Sequence, residues 1–460
     1  MRASGFPIDT VFAALTTQLG ERASRGAAVL AAHGASESYH AGHPPDIVVY
    51  PQSTAEVVAI VAICAAHGAP VVPYGAGTSL EGNASAIRGG VCVDFAQMNR
   101  LIALHAEDLD CRVQPGITRK RLNAELRESG LFFPIDPGAD ASIGGMTSTR
   151  GSGTMAVRYG TMRENVMALE VVLADGRVIR TSRRARKSAA GYDLTRLFVG
   201  AEGTLGIITE ITLRLHPVPE AMSAVVCPFA SFEGAVATAI AVSQAGIPVA
   251  RIELLDEVMI RGVNRYAKLG IMEQPTLFLE FHGTPAAVAE QAEAVRAIAH
   301  ENGALGFESA TRTEDRNRLW SARDNTLYAG TGLRPGAKAV ITDVCVPVSR
   351  LAECLIATKR DIEASGLIAP IVGHVGDGNF HTLILVDPTS PDEIARAQAL
   401  HDRMVSRALD LDGTSTGEHG IGTGKIAFLE RELGEAVYVM RAIKQTLDPN
   451  GIMNPGKIFR

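Results

Sequence analysis

Pro73-Tyr74-Gly75-Ala76-Gly77-Thr78-Ser79-Leu80-Glu81-Gly82-Asn83 is the stretch whose reading decides the fold. It follows Val71-Val72, a short apolar run that reads as a strand. Three glycines and two hydroxyls then share one loop. Glycine lets backbone approach a ligand closely, and successive N–H groups form a nest for an anion such as a pyrophosphate. The loop matches neither the Rossmann dinucleotide fingerprint nor the P-loop. Residues 84–94 read as continuing strand rather than as a helix whose N-terminus could hold phosphate. Both of those nucleotide folds are thereby weakened. A plain turn would use the same glycines, so the loop alone leaves ligand binding open.

Working outward, Ile47-Val48-Val49-Tyr50-Pro51 reads as a strand, and Ser53-Thr54-Ala55-Glu56 is a capping-box pattern that opens a helix to His67. The region therefore starts β-α-β. Before it, residues 1–40 suggest one or two helices, with Val11, Phe12, Leu15 and Leu19 at helical spacing. After it come two further small-residue stretches. Residues 134–154 show little periodicity, and long loops of that kind are usually functional. Residues 200–206 (GAEGTLG) precede a strand over 207–215. Three such loops in one α+β unit point to a large, elongated ligand, a dinucleotide rather than a mononucleotide.

His216-Pro217-Val218-Pro219 marks a boundary, because two prolines in three residues stop a strand and stiffen its exit. Beyond it, helices over 232–245 and 285–302 and strands over 249–254 and 276–282 predict an antiparallel sheet with helices on one face. Further helices are expected over 315–326, 349–365, 390–411 and 425–447, and a strand over 339–347. The chain divides into a helical segment (1–41), a cofactor-binding domain (42–219), a substrate or cap domain (220–412) and a closing segment (413–460).

The 460 residues are 46% hydrophobic and carry a net charge of -6, which argues against nucleic acid as the main partner. The one marked basic run, residues 180–187 (RTSRRARK), reads as a solvated loop. Six scattered cysteines without C-x-x-C pairing suit a reducing compartment. No apolar run reaches the roughly 18 residues of a membrane span, and residues 1–20 lack secretory signal features. The expected location is cytoplasmic, with peripheral attachment at the inner membrane as an alternative.

Chemistry-bearing residues cluster late. In Gly373-His374-Val375-Gly376-Asp377-Gly378-Asn379-Phe380-His381, two histidines stand seven apart around a turn. On one helix they would be roughly 10 Å apart along the axis. A hairpin would instead make them a cross-strand pair, with Cβ atoms about 5 Å apart, close enough to share a divalent metal. Two structural histidines beside a turn fit the segment equally well. Residues 413–422 add Glu418, a candidate third ligand, and His419, which would point elsewhere and could serve as a base. Arg323 and Lys338 could clamp a carboxylate, although a lone Arg or Lys is usually surface charge.

Taken together, PYGAGTSLEGN, DPGADASIGGM, VRYGTMRENV, KSAAGYDLTRLFVGAEGTLGIIT, GHVGDGNFH and TGEHGIGTGK resemble the FAD-dependent D-2-hydroxyacid dehydrogenases, within the vanillyl-alcohol-oxidase-like flavoproteins. The resemblance spans nearly the whole chain. It implies an α+β fold: an FAD-binding domain of two α+β subdomains, an α+β cap with an antiparallel sheet, and a C-terminal helical segment that returns to the flavin. It implies pyrophosphate contacts at Gly75, Ala76, Gly77, Thr78 and Ser79. Further FAD contacts would fall at Pro137, Gly138, Ser142, Gly145, Gly203 and Ile208, with Asn454 near the flavin. A divalent metal (zinc, manganese or iron) would sit on His374, His381 and Glu418. His419 would be the base, and Arg323 and Lys338 would hold the substrate carboxylate. FAD attachment is expected to be non-covalent. The implied activity is oxidation of a short D-2-hydroxy acid such as D-lactate. Leu383, apolar and two residues past His381, favours a short substrate over 2-hydroxyglutarate; glycolate is another alternative. The electrons would pass to a cytochrome, a quinone or an electron-transfer flavoprotein, and the family admits a homodimer. The non-enzymatic alternative is a flavin- and metal-binding subunit of a larger complex.

Overall fold

The computed structural model of the protein describes residues 5–36 and 38–459. The N-terminal helical spacing yields helix Ile8–Leu19, which buries Val11, Leu15 and Leu19, and a short helix Ala27–Gly34. The β-α-β start is strand Ile47–Val49, helix Thr54–His67 and strand Val71–Tyr74, and the Ser53 hydroxyl caps the helix by accepting from the Glu56 amide. These strands join a four-stranded sheet in the order Ala23–Ser24, Ile47–Val49, Val91–Asp94, Val71–Tyr74.

One expectation fails here. The strand predicted over 84–94 is confined to Val91–Asp94. Gly89 and Gly90 hold positive φ, which breaks the extended conformation just before it. Val91–Asp94 pairs parallel to Val71–Tyr74, yet the chain between them contains no helix. Parallel neighbours normally need a helical crossover. Here the glycine loop is itself the crossover, which holds its backbone out at the sheet end.

A second sheet of five antiparallel strands follows in the order Leu101–His105, Asp110–Val113, Ile207–Arg214, Val166–Val172, Val178–Arg180. Residues 134–154 are not all loop: Ile143–Thr149 is a helix capped by the Ser142 hydroxyl. Its two glycines hide it from a propensity reading. Gly144 is required by packing, since a Cβ there would lie 2.5 Å from the Pro115 side chain. The proline-rich boundary pairs His216–Pro217 with Leu131–Phe132.

The remaining chain is built on an eight-stranded antiparallel sheet. Its path runs Glu308–Ala310, Ala221–Pro228, Thr276–Gly283, Arg251–Leu255, Ile371–Gly373, Asn379–Val386, Lys338–Ile341, with Val344–Cys345 also paired to Asn379–Val386. Strand alternation decides what each face meets. Leu277, Leu279 and Phe281 join the larger core, with helices Phe232–Gln244, Pro285–Glu301, Leu351–Ser365 and Pro391–Asp410. Phe278 and Leu255 join a smaller core on the other face, with helices Glu257–Ala267 and Thr313–Asp324. Helices thus cover both faces, not one as expected, because these strands are apolar at odd and even positions alike. The predicted strand over 339–347 breaks between Ile341 and Val344, and the predicted helix over 425–447 is two helices, Ile426–Leu433 and Ala436–Leu447, parted by Gly434 at positive φ. The tail then returns to the first sheet, where the Asn454 amide donates to the Val71 carbonyl at 2.8 Å.

The boundary carries a pH-sensitive group. His216 packs edge-on against Tyr159 (4.9 Å between ring centroids), and its Nε2 meets Asn165 Oδ1 at 3.1 Å. Burial, with Arg214 and Arg186 nearby, lowers its pKa to about 4. The unfolded chain takes up this proton near pH 6.5, the folded chain only near pH 4. The contribution is therefore fully present above pH 6.5 and is lost as pH falls through about 4. Unfolding followed by tryptophan fluorescence between pH 7 and 4 is expected to show this loss, and His216→Asn should flatten the slope; an unchanged slope would refute the assignment.

Candidate active site

One open cleft runs from the glycine loops to the two histidines. Gly75, Ala76, Gly77, Thr78, Ser79, Pro137, Gly138, Ser142, Gly145, Gly203, Ile208 and Asn454 all line it, as do Arg323, His374, His381, Glu418 and His419. The loops are packed too closely for side chains. A Cβ on Gly75 would lie 2.1 Å from Ser142 Oγ, and one on Gly203 2.3 Å from Pro73 Cγ. At these two positions only backbone fits. The amides of residues 75–79 donate to no backbone or side-chain acceptor among the described residues, which leaves a row of donors for an anionic ligand. A cleft lined by three glycine-rich loops, with free amides at one end, fits an elongated dinucleotide such as FAD.

At the other end stand the histidines. Val372 is the strand partner of His381, so His374 lies beyond the paired residues, diagonal to His381 rather than opposite it. The turn is Val375–Gly378. The two rings still approach to 5.5 Å, at 84°. His374 Nε2 lies 3.2 Å and His381 Nε2 3.3 Å from the same Glu418 oxygen, Oε1. Each Nδ1 is engaged elsewhere: that of His374 with Glu253 Oε1 at 2.7 Å, and that of His381 with the Thr342 carbonyl at 3.0 Å. A carboxylate or carbonyl behind the ring is how proteins present Nε2 to a metal. Two imidazoles and a carboxylate with converging lone pairs suit zinc, manganese or iron.

The electrostatics agree with that donor set. Burial works against charging His374, yet Glu253 and Glu418 raise its pKa to about 10. Burial likewise tends to raise the Glu418 carboxyl, but His374 and His381 hold it well below the usual range. The imidazolium is then the stand-in for a cation, and metal binding must displace its proton. Asp343, His381 and His419 form an overlapping cluster. Its Asp343 oxygens are already spent: they accept from the Glu418 and His419 amides, Thr416 Oγ1 and Asn379 Nδ2 at 2.8–3.0 Å. That makes Asp343 a brace for the loop rather than a ligand.

His419 stacks on His381 (4.9 Å, 18°) and faces the cleft. Its Nδ1 is buried without a hydrogen-bond partner, 3.8 Å from Asp343 Oδ2. Burial lowers its pKa, against the pull of Asp343, so the ring is held neutral. The loop that carries Glu418 and His419 is gripped from two sides. Asp343 holds the amides of Glu418 and His419, while Glu202, from the glycine-loop side, accepts from the Ile421 and Gly422 amides at 2.7 and 2.9 Å. Lys425, fully buried, lies 3.3 Å from Glu81 and donates to the Asp343 carbonyl at 3.0 Å. The Asn454 amide joins the carbonyls of Asn83 and Glu202.

Arg323 is buried and paired: Nε and Nη2 donate to Glu253 Oε2 at 2.8 and 2.5 Å. Lys338 does not reach the cleft. It is exposed at the first position of its strand, and strand alternation places it on the face opposite Ile341, which does line the cleft. Glu253, Asp343 and Glu202 were not picked out from the sequence. Each had one signal: an acid inside an apolar strand (RIELL), a polar break in another (VITDVCV), and an acid at positive φ between small residues (GAEGT).

Residues 218–458 match the family described as FAD linked oxidases, C-terminal domain, and residues 45–182 match the FAD binding domain. The chain is 53% identical over 443 residues to a probable mitochondrial D-lactate dehydrogenase of Danio rerio, covering 95% of this chain and 89% of that protein. It is 51% identical over 430 residues to the mitochondrial D-lactate dehydrogenase (cytochrome) of Arabidopsis thaliana, covering 93% of this chain and 76% of that one. Glycolate oxidase subunit GlcD of Bacillus subtilis is 36% identical over 425 residues, covering 90% of this chain and 89% of that one. Among solved structures, 4-ethylphenol oxidase from Gulosibacter chungangensis superposes with a TM-score of 0.81 at 20% identity, covering 98% of this chain and 97% of that one. p-Cresol methylhydroxylase gives 0.79 at 20%, covering 98% and 96%.

Proposed function

The chain belongs to the FAD-linked oxidases, and from that premise we propose that it is an FAD-dependent D-lactate dehydrogenase that oxidises D-lactate to the 2-oxo acid. The observation that carries the reading is a two-histidine, one-carboxylate donor set beside a neutral histidine, on the same cleft as the glycine loops. When bound, FAD supplies the hydride acceptor and a divalent metal on His374, His381 and Glu418 polarises the substrate hydroxyl. The residues of the chain do the rest. His419 takes the hydroxyl proton, a role its place on the cleft beside the donor set and its pKa, lowered by burial, support. Arg323 orients the carboxylate, and the pairing with Glu253 keeps its guanidinium pre-set. Leu383 and Val372 give the substrate end apolar walls, which suits a methyl group better than a second carboxylate.

The acceptor we assign is a cytochrome, on the names of the relatives. No helix of the described residues is long and apolar enough to cross a membrane. The compartment we assign is a reducing one, the cytoplasm, which accords with six unpaired cysteines. We keep the four-part division of the sequence, 1–41, 42–219, 220–412 and 413–460, as the working domain organisation.

The test is anaerobic bleaching of the flavin by a panel of D-lactate, D-2-hydroxyglutarate and glycolate. D-lactate is expected to bleach it fastest; a flavin that only glycolate or 2-hydroxyglutarate bleaches overturns the substrate, and one that none bleaches overturns the reading. Chelation should abolish bleaching and metal add-back restore it, and indifference to both would remove the metal from the proposal.

A further inference from the structure

We propose that Arg251 is a positioning residue for the substrate carboxylate. It ties the helix that carries Arg323 to the loop that lines the flavin end of the cleft. The inference rests on the role given to Arg323 above.

Arg251 and Glu253 are two apart on strand Arg251–Leu255 and so share a face. Trp320 and Arg323 are three apart on helix Thr313–Asp324 and share a side of it. The two pairs meet rung by rung. The Arg251 guanidinium lies over the Trp320 ring, 4.2 Å from its centroid. Glu253 receives both donors of Arg323. The helix is thereby registered on the strand at two points one turn apart.

Arg251 also reaches outside its own sheet. Its Nη2 stands 3.0 Å from Asp136 Oδ2, with both side chains nearly buried. Asp136 directly precedes Pro137 and Gly138, which line the cleft, and it is fixed by Thr154 Oγ1 and the Met155 amide. A second strap runs beside the first. Trp320 Nε1 donates to Glu280 Oε2 at 2.5 Å, Glu280 Oε1 bonds His282 Nε2 at 2.8 Å, and His282 Nδ1 meets Tyr159 Oη at 2.7 Å. None of these groups lines the cleft. Buried charges are costly unless paired, so a set this polar without a catalytic contact calls for another use. Its geometry supplies one: it fixes the distance between Arg323 and the flavin loops. Arg251 Nε adds a further sign, being buried without a hydrogen-bond partner, 3.6 Å from Glu280 Oε1.

The experiment uses full-length, FAD-loaded protein and the 2-hydroxy acid that bleaches the wild-type flavin. Arg251→Met keeps length but loses charge. It is expected to raise the half-saturating substrate concentration about tenfold or more, with a smaller change in the limiting reduction rate, since small displacements of a binding group carry large penalties. Arg251→Lys, which can still reach Asp136 but cannot stack flat on Trp320, should recover part of the loss. In an Arg323→Lys background the Arg251→Met effect should shrink, because the two act through one group. A purely structural Arg251 would lower melting temperature and FAD content and leave half-saturation unchanged, and that result overturns the proposal. Should Arg251→Met not fold, unchanged half-saturation in both Arg251→Lys and Asp136→Asn overturns it equally. Failure of the functional reading looks different: there the wild-type flavin itself is not bleached by any acid of the panel.

Discussion

Replacing His419 by alanine is expected to leave FAD bound and to slow flavin reduction by D-lactate about 10²–10⁴-fold, the usual worth of a positioned base. The substitution removes the ring and little else. The backbone amide of residue 419 still reaches Asp343, its carbonyl still accepts from Asn83, and the loop stays clamped by Glu202. His419 makes no hydrogen bond through Nδ1, so its loss leaves no buried partner stranded. Its ring is held neutral by burial, the state a base must start from. Stopped-flow measurement of anaerobic bleaching, with FAD content determined on the same sample, separates the two effects. Unimpaired reduction would end the base assignment; loss of FAD would show that the ring has a structural role instead.

Glu253→Ala is expected to be costlier to the molecule as a whole. Glu253 is wholly buried and serves two cations at once, His374 through Oε1 and Arg323 through Oε2. Burial opposes its charge, and Arg323 and His374 outweigh that and keep the carboxyl below its ordinary value. Removing it leaves a guanidinium buried without its partner, which costs about 3–5 kcal/mol. It also frees His374 Nδ1, and loss of such a support lowers metal affinity about 10–100-fold. Denaturant unfolding reads the first effect and metal titration the second. Glu253→Gln, which keeps shape and one acceptor, should be milder on both. Wild-type stability together with wild-type metal affinity in the alanine variant would refute the double role.

The sequence and the structure part company for identifiable reasons. His374, His381, Glu418 and His419 could be read in advance because the turn glycines and the charged residues stand within short stretches. The glycine loops were equally visible, since positive φ selects the residue type. What supports them was not. Glu253 lies 121 residues before His374, and Asp343 is 75 residues from Glu418, so no local pattern connects either to its client. Lys338 illustrates the opposite error: the family resemblance implied a carboxylate clamp, and the two-residue period of the strand turns the side chain away from the cleft. Helix Ile143–Thr149 was lost to its glycines, and the single expected helix after Lys425 was divided by Gly434, because propensity is a weak guide where packing decides.

The loop carrying Glu418 and His419 is held by Asp343 on one side and by Glu202 and Glu81 on the other, acids from connecting segments that lie on opposite sides of the proline seam at residues 216–219 in the chain. Neither portion of the chain alone can shape it. The reactive loop is in effect a coincidence detector, set only when both portions have folded and met. With the proposed role of His419, a half-made or wrongly docked molecule would lack its base until both portions have met. Two fragments cut at the seam would be silent apart and could regain activity only by reassembly.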